Sequence, residues 1–310
     1  MSNILIIKHG SLGDLIQANG AIKDIKLANP NKKVLLLTST AYSFFMSSCP
    51  YVDGVIGDDR LPRWNIFYLL KIKRLLESYN FSHVFDLQNS NRTYFYRKFL
   101  LKKAIWSSTK EALDVGQKKS DFDKAGVLSR MKIQLNKSGI ETNFLNSIDL
   151  SWANYDISKL LKKYTNGEFI LIFPFCSKKH LKKKWPHFKD LVNKIKQYYN
   201  NKYSVLVAPG PGEILEASKL NSKVVLNENK PIDIVTLISL INKSKFIISN
   251  DTGPAHICSH LKKNGLVLFG SHTTPEKVSI GNTNFEVIKV NDLNQLTSET
   301  VMNEINKKLN

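Results

Sequence analysis

The sequence predicts an α/β protein made of two parallel-sheet lobes facing a central cleft. Three observations lead there. Short apolar runs alternate with longer stretches of helical spacing, the signature of strands joined by covering helices. The alternation lapses in a polar middle region, 110–164, and then begins again. Small polar turns containing glycine follow several of the strands and open helices, which is where open α/β folds bind ligands.

In the first lobe, 1–164, Ile4–Ile7 is the opening strand, followed by a helical pattern from Asp14 to Ala28. Val34–Leu37, Val52–Ile56 and Val84–Phe85 continue the strand series, and Trp64–Tyr79 has helical spacing with lysines on its outer face. Thr165-Asn166-Gly167 reads as the turn between lobes. The second lobe, 165–310, carries strands at Phe169–Phe173, Ser204–Ala208, Lys223–Leu226, Phe246–Ser249 and Leu266–Phe269. Helices fall between them at His187–Tyr199, Glu213–Leu220, Ile232–Asn242 and Pro254–Leu261. A terminal helix at 293–309 is expected to pack back on the first lobe. Each lobe is therefore Rossmann-like in pattern.

The net charge is +19, with 45 Lys and Arg against 26 Asp and Glu. A surface this basic favours phosphorylated substrates, nucleic acid or an anionic membrane face, or else reflects solvated lysine-rich faces. Cys49, Cys176 and Cys258 form no CxxC pair, so neither a zinc knuckle nor a disulfide framework is indicated, and a reducing, cytoplasmic setting fits. The opening MSNILIIKHG reads as a strand, not a signal peptide, and no apolar run reaches the ~18–20 residues needed to span a bilayer.

Four segments carry candidate chemistry. His9-Gly10-Ser11-Leu12-Gly13-Asp14 follows the first strand and opens a helix; its spacing is neither GxGxxG nor a Walker loop. Asp14 is either a helix cap or a general base, a weak one because a helix N-terminus favours its anion. Ser177 precedes the run from Lys178 to Lys184, which sits at the carboxyl end of a strand. There one or two lysines bind a diphosphate, or the run is a solvated face. Ser249-Asn250-Asp251-Thr252-Gly253-Pro254-Ala255-His256 ends a strand and opens a helix whose N–H groups suit a diphosphate; the plainer reading is a cap and a packed histidine. Pro209-Gly210-Pro211-Gly212-Glu213 is a turn, or a turn whose glutamate accepts from a sugar hydroxyl.

In this order the segments resemble glycosyltransferase family 9, the heptosyltransferase-like enzymes of GT-B fold. ILIIKHGSLGDLIQANGAIKDIK is similar to that family's start, Pro50–Ile56 to its second-strand region, Lys183-Lys184-Trp185-Pro186 to its Lys-x-Trp-Pro element, and Asp251-Thr252-Gly253-Pro254-Ala255-His256 to its Asp-Thr-Gly-x-x-His element. Leu268-Phe269-Gly270 follows as in the family. The chain departs from the pattern at Pro174-Phe175-Cys176-Ser177 and at Ser271-His272-Thr273-Thr274-Pro275.

The resemblance implies inverting, metal-independent transfer of a heptose or similar sugar from a nucleotide-diphosphate donor, ADP-heptose in the best-known members, with no resident cofactor. It implies Asp14 as general base and Lys183 on the phosphates. Ser177, Lys184, Asp251, Thr252, Gly253 and His256 would line the donor site, with Glu213 at the ribose and Glu216 its competitor. His9, Gly10, Ser11 and Gly13 form the loop on the acceptor side. The acceptor would be an anionic lipopolysaccharide-type glycolipid, met at the cytoplasmic face of the inner membrane through peripheral contact. Two other readings are a nucleotide-sugar-modifying Rossmann enzyme, opposed by the missing GxGxxG, and a basic nucleic-acid-binding protein, for which no recognition motif accompanies the charge.

Overall fold

The computed structural model describes residues 2–309, which form two compact units divided between Trp152 and Ala153. The first unit holds strands β1 (Asn3–Ile7), β2 (Val34–Ser39), β3 (Gly54–Asp58), β4 (Phe81–Asp86) and β5 (Ile105–Ser107) in the order β3-β2-β1-β4-β5, all parallel. Helices α1 (Leu12–Leu27), α2 (Thr40–Ser47), α3 (Ile66–Glu77), α4 (Asn91–Phe99) and α5 (Val127–Lys137) lie between or after them. Residues 4 to 7 of β1 are fully buried, as a central parallel strand covered on both faces must be. Leu5 and Ile7 share one cluster with Leu35, Leu37, Tyr68, Ile72 and Leu76, so α3 seals one face of the sheet.

Helix α1 is buried nearly all round, which explains why its apolar residues show no clean stripe. The polar middle region does much of the covering. Asp24 on α1 accepts from the backbone N–H groups of Asn143 and Phe144 at 3.1 and 3.0 Å. Gly20 lets that loop come close: a Cβ there would lie 2.2 Å from the Phe144 carbonyl oxygen.

Three sequence expectations shift. The strand expected at Val52–Ile56 runs instead from Gly54 to Asp58, because Asp53 closes the preceding turn, its N–H on the Val34 carbonyl and its carboxylate on Lys26 and the Val34 N–H. The strand expected at Lys223–Leu226 pairs with the sheet only over Lys223–Val224, and Leu226–Asn227 turns into a short antiparallel hairpin with Lys230–Pro231. The helix expected over Glu213–Leu220 is a single turn, Ile214–Ala217.

The second unit carries β6 (Phe169–Phe173), β7 (Ser204–Val207), β8 (Lys223–Val224), β9 (Phe246–Asn250), β10 (Gly265–Phe269) and β11 (Phe285–Lys289) in the parallel order β11-β10-β9-β6-β7-β8. Its helices are α6 (Phe188–Tyr198), α7 (Ile234–Lys243), α8 (Gly253–His260) and α9 (Ser298–Leu309). Residues 153–164 already belong here: the Tyr155 N–H donates to Ser239 Oγ, and Tyr164 bonds the Leu226 backbone through its hydroxyl. Helix α9, the terminal helix, buries Val301, Met302 and Ile305 in the same cluster as Leu191 and Ile195 of α6. β11, α2, α4 and β5 were not foreseen.

Replacing Gly20 with alanine is expected to push the Phe144 loop off α1 and to cost about 1–3 kcal/mol, the usual range for overpacking. Thermal unfolding of the variant checks this; an unchanged melting temperature would mean the loop gives way freely.

Candidate active site

In the first unit the charged groups gather where β1, β3 and β4 end. Gly10, at φ +110°, turns the chain after β1, and a Cβ there would strike the Tyr42 ring at 2.5 Å, so only glycine fits. Ser11 then caps α1. Asp14, in the helix's first turn, accepts from the Ser11 N–H at 2.8 Å and from Ser11 Oγ at 2.9 Å through one carboxylate oxygen. Its other oxygen lies 3.9 Å from Lys8 Nζ, and the side chain stays 41 % exposed. Capping and availability to a substrate thus coexist in one residue: the bonds to Ser11 fix the carboxylate, and solvent reaches it.

Lys8 is buried, its ammonium donating to the Leu87 carbonyl at 2.9 Å. Burial lowers its pKa, while Asp14 and Asp86 pull the other way. Asp86, at the end of β4, is pushed up by burial against hydrogen bonds from Thr93 and the Asn89 and Gln88 N–H groups. The His9 N–H donates to Gln88 Oε1, which ties the β1 loop to the β4 loop.

The His9 ring turns inward. Its Nε2 lies 2.8 Å from Asp58 Oδ2, with both side chains buried. Tyr68 and Tyr96 donate their hydroxyls to the same carboxylate, and so does the Arg60 N–H at 2.7 Å. Arg92 donates to the Tyr96 oxygen at 2.6 Å and stands 3.6 Å from Asp58. Burial opposes ionisation of Asp58, but the bonds from His9, Tyr68 and Tyr96 outweigh it and hold the carboxyl well below the usual range. His9 is therefore a structural partner of Asp58.

In the second unit the groups converge on Asp251, which follows β9. This carboxylate is buried and accepts from Lys183 Nζ at 2.6 Å and from His272 Nε2 at 2.9 Å. His272 stacks on Phe269, ring centroids 5.9 Å apart. Asn250 sets the stage: its side chain accepts from the Trp185 N–H at 3.1 Å and donates to the Pro174 carbonyl at 2.8 Å, fixing the loop that carries Lys183. Trp185, fully buried, anchors the other side through its indole N–H on the Leu296 carbonyl. Ser177 caps the short helical turn Lys178–Lys183. Thr252 is the N-cap of α8, and Gly253 and Pro254 open that helix, with His256 in the same turn.

Next to this cluster, Lys184 pairs with Glu216, and Glu213 accepts from the Gly210 N–H at 2.7 Å. Burial pushes Glu213 up, and Glu216 adds to it, while the Gly210 bond and Lys184 oppose them. The charges of Lys183, Lys184, Glu213 and Glu216 all act on the Cys176 thiol, so they share one neighbourhood. Among the described residues no three His, Cys, Asp or Glu side chains converge as metal ligands.

A model of glycosyltransferase family 9 (heptosyltransferase) matches residues 69–309. The chain belongs to that family. It is a glycosyltransferase, and its two parallel sheets form the GT-B fold. No curated protein sequence matches it. Solved structures of similar fold include an Escherichia coli heptosyltransferase, WaaC with ADP, at 18% identity and TM-score 0.73 over 98% of this chain and 99% of that one. E. coli ADP-heptose lps heptosyltransferase II is 16% identical, with TM-score 0.73 over 98% of each chain. A family 9 glycosyltransferase from Veillonella parvula is 16% identical, with TM-score 0.75 over 99% of this chain and 96% of that one. Lys183, Asp251 and the α8 turn fall inside the family match, whereas Asp14 precedes it and is covered by the structural likeness.

The structure has Asp251, Thr252, Gly253 and His256 directly after β9 and brings Lys183, from the turn after β6, onto Asp251; two partners gave no such signal in the sequence. His272 stood out only as a departure from the family pattern, and it proves to be a ligand of the Asp251 carboxylate. Asp58 gave no signal, since a polar Gly57-Asp58 ending reads as a loop.

Replacing Asp58 with asparagine is expected to cost about 1–3 kcal/mol at neutral pH, the range for a compromised buried hydrogen-bond network. Because the folded pKa lies below the unfolded one, the Asp58 contribution is complete above the ordinary carboxylate range and fades as pH falls through it toward the folded pKa. Denaturant titrations of both proteins should therefore converge on acidification; a gap that is constant with pH would refute the charged network.

Proposed function

We propose that this enzyme transfers a heptose or similar sugar from a nucleotide-diphosphate donor to an anionic lipopolysaccharide-type glycan, inverting the anomeric carbon and using no metal. The observation that carries the reading is Asp14: a carboxylate fixed by Ser11, open to solvent, at the carboxyl end of the central strand of a family 9 chain.

An acceptor hydroxyl attacks the anomeric carbon from the face opposite the diphosphate. The new C–O bond forms as the bond to the phosphate oxygen breaks, and the hydroxyl proton passes to Asp14. A carboxylate at a helix N-terminus with Lys8 beside it is a weak base, so it takes the proton late, when the attacking oxygen has become acidic. The electron pair leaves with the nucleoside diphosphate.

Lys183 meets that developing charge. An ammonium has three donors, and Asp251 engages one, which fixes the amine and leaves others for phosphate oxygens. The first N–H groups of α8 add partial positive charge. Ser177, Lys184, Thr252, Gly253 and His256 line the donor, with Glu213 toward a sugar hydroxyl. ADP is the first diphosphate to try, since the WaaC structure of like fold contains it. The acceptor is a glycolipid presented at the cytoplasmic face of a membrane.

Asp14→Asn is expected to lower kcat about 10²–10⁴-fold, as loss of a general base does, with ADP affinity unchanged. Lys183→Ala should weaken ADP binding about 10- to 100-fold, the worth of a charge-assisted hydrogen bond. Chelator should leave the rate unaltered. Calorimetric titration of ADP, steady-state rates and the anomeric configuration of the product test these points. A fully active Asp14→Asn enzyme, or a product of retained configuration, would overturn the mechanism.

A further inference from the structure

Helix α3 has two faces. Tyr68, Ile72 and Leu76, four residues apart, are buried against the sheet. Phe67, Leu70, Lys71 and Arg74 recur at helical spacing on the opposite side, and all four are exposed. Phe67 is 87% exposed, and Trp64, just ahead of the helix, 83%. Ile66 and Leu61 are exposed too. Single exposed apolar residues are commonplace, but this is a run of large ones, two of them aromatic, in one short segment.

The charge of the segment is one-sided. From residue 60 to residue 76 there are five cations, Arg60, Arg63, Lys71, Lys73 and Arg74, and no carboxylate. Of these, among the described residues, Lys73 alone pairs with an acidic side chain, Glu77, at 3.7 Å. The surface continues onto α4. Arg92 donates to the Leu61 carbonyl, and Arg63 lies over the Phe95 ring. Tyr94 and Phe99 are exposed beyond them, and a groove lined by Lys73, Glu77, Phe99, Lys102 and Lys103 joins the two helices.

We propose that the outer face of α3, with the Arg60–Asn65 segment before it, is a docking surface for an anionic lipid bilayer. Trp64, Ile66 and Phe67 enter the headgroup boundary, and Arg60, Arg63, Lys71 and Arg74 lie on lipid phosphates. A helix of 12 residues is too short to span a bilayer, which takes about 20. An amphipathic helix with aromatic anchors and a cationic flank lies in the interface instead. The partner chemistry follows from charge complementarity: an apolar protein partner would not call for four cations without counter-charges. The inference deepens the glycolipid-acceptor reading and rests on it for its purpose, since an enzyme docked this way meets its acceptor in the plane of the lipid.

The test uses the purified full chain and vesicles of phosphatidylcholine, alone or mixed with phosphatidylglycerol, with no acceptor present. Sedimentation should show binding to the anionic vesicles only, weakening with salt. Trp106 and Trp185 are buried and Trp152 half-buried, so a blue shift of tryptophan emission on binding reports Trp64. Trp64→Ser with Phe67→Ser should lower partitioning at least about tenfold, and loss of each of Lys71 and Arg74 about fivefold. These residues are exposed, so melting temperature and ADP affinity should not change; that separates failure of the docking surface from failure of the donor reading. Equal vesicle binding by the serine double variant would overturn the proposal, because charge alone would then suffice. So would an unshifted emission, or a wild-type dimer that the double variant abolishes without any vesicle binding.

Discussion

A parallel sheet covered on both faces has no room for charge along its strands, so polar chemistry is pushed to the loops where strands end. Both units obey this constraint. β1 is apolar from Ile4 to Ile7, and then Lys8, His9 and the Asp14 turn follow at once. β9 likewise ends at Asn250, and Asp251 comes next. What distinguishes the units is how each solves the desolvation of its carboxylate. Asp14 remains half in water and is held by Ser11, so it can exchange a proton. Asp251 is fully buried and needs partners that donate to it, which the Lys183 ammonium and the His272 ring supply. Removing one partner from a buried pair leaves an uncompensated charge, so the Asp251 cluster is obliged to keep a lysine amine in place. That obligation places a cation beside the first turn of a helix, where an anion is already favoured.

The Asp58 network is the other costly burial. The buried Asp58 carboxylate on β3 joins elements far apart in sequence through three side chains, His9 after β1, Tyr68 on α3 and Tyr96 on α4, and takes a fourth contact from the Arg60 N–H. The His9 backbone meanwhile bonds Gln88 after β4. The loop carrying Asp14 is thus fastened at its base to β3, α3, α4 and the β4 loop. A side chain held by its neighbours' packing and hydrogen bonds keeps one geometry, and Lys8, pinned on the Leu87 carbonyl, adds a second fastening.

The fold was legible because several strands carry unbroken apolar runs, Ile4–Ile7, Val34–Leu37, Phe169–Phe173 and Leu266–Phe269. The unforeseen elements fail that test. β5 is three residues, Ile-Trp-Ser, and β11 reads Phe-Glu-Val-Ile-Lys, an edge strand with charge at two of five positions. α4 buries only Thr93 and Tyr96, and Tyr96 is tied to Asp58, which no local pattern announces. In the site, residues that follow a strand directly were readable from position alone. His272 and Asp58 were not, because their importance lies in a partner 21 residues distant in one case and 49 in the other (His9), joined only by the crossing of strands.

Net charge was the least decisive property of the sequence, and the structure shows why. Part of the positive charge is matched locally: Lys119 and Arg130 with Asp123, Lys137 with Asp114, Lys194 with Glu299, Lys308 with Glu286. Exposed pairs of this kind contribute little to stability, but they cancel field at the surface. Positive charge acquires meaning where the cancellation stops. Along Arg60–Leu76 four of the five cations have no carboxylate partner among the described residues and share the segment with exposed aromatic rings. Cations alone would serve solubility, and exposed Trp and Phe alone would invite association. Together on one short helix, each limits the alternatives open to the other, and a surface that is both apolar and anionic satisfies both.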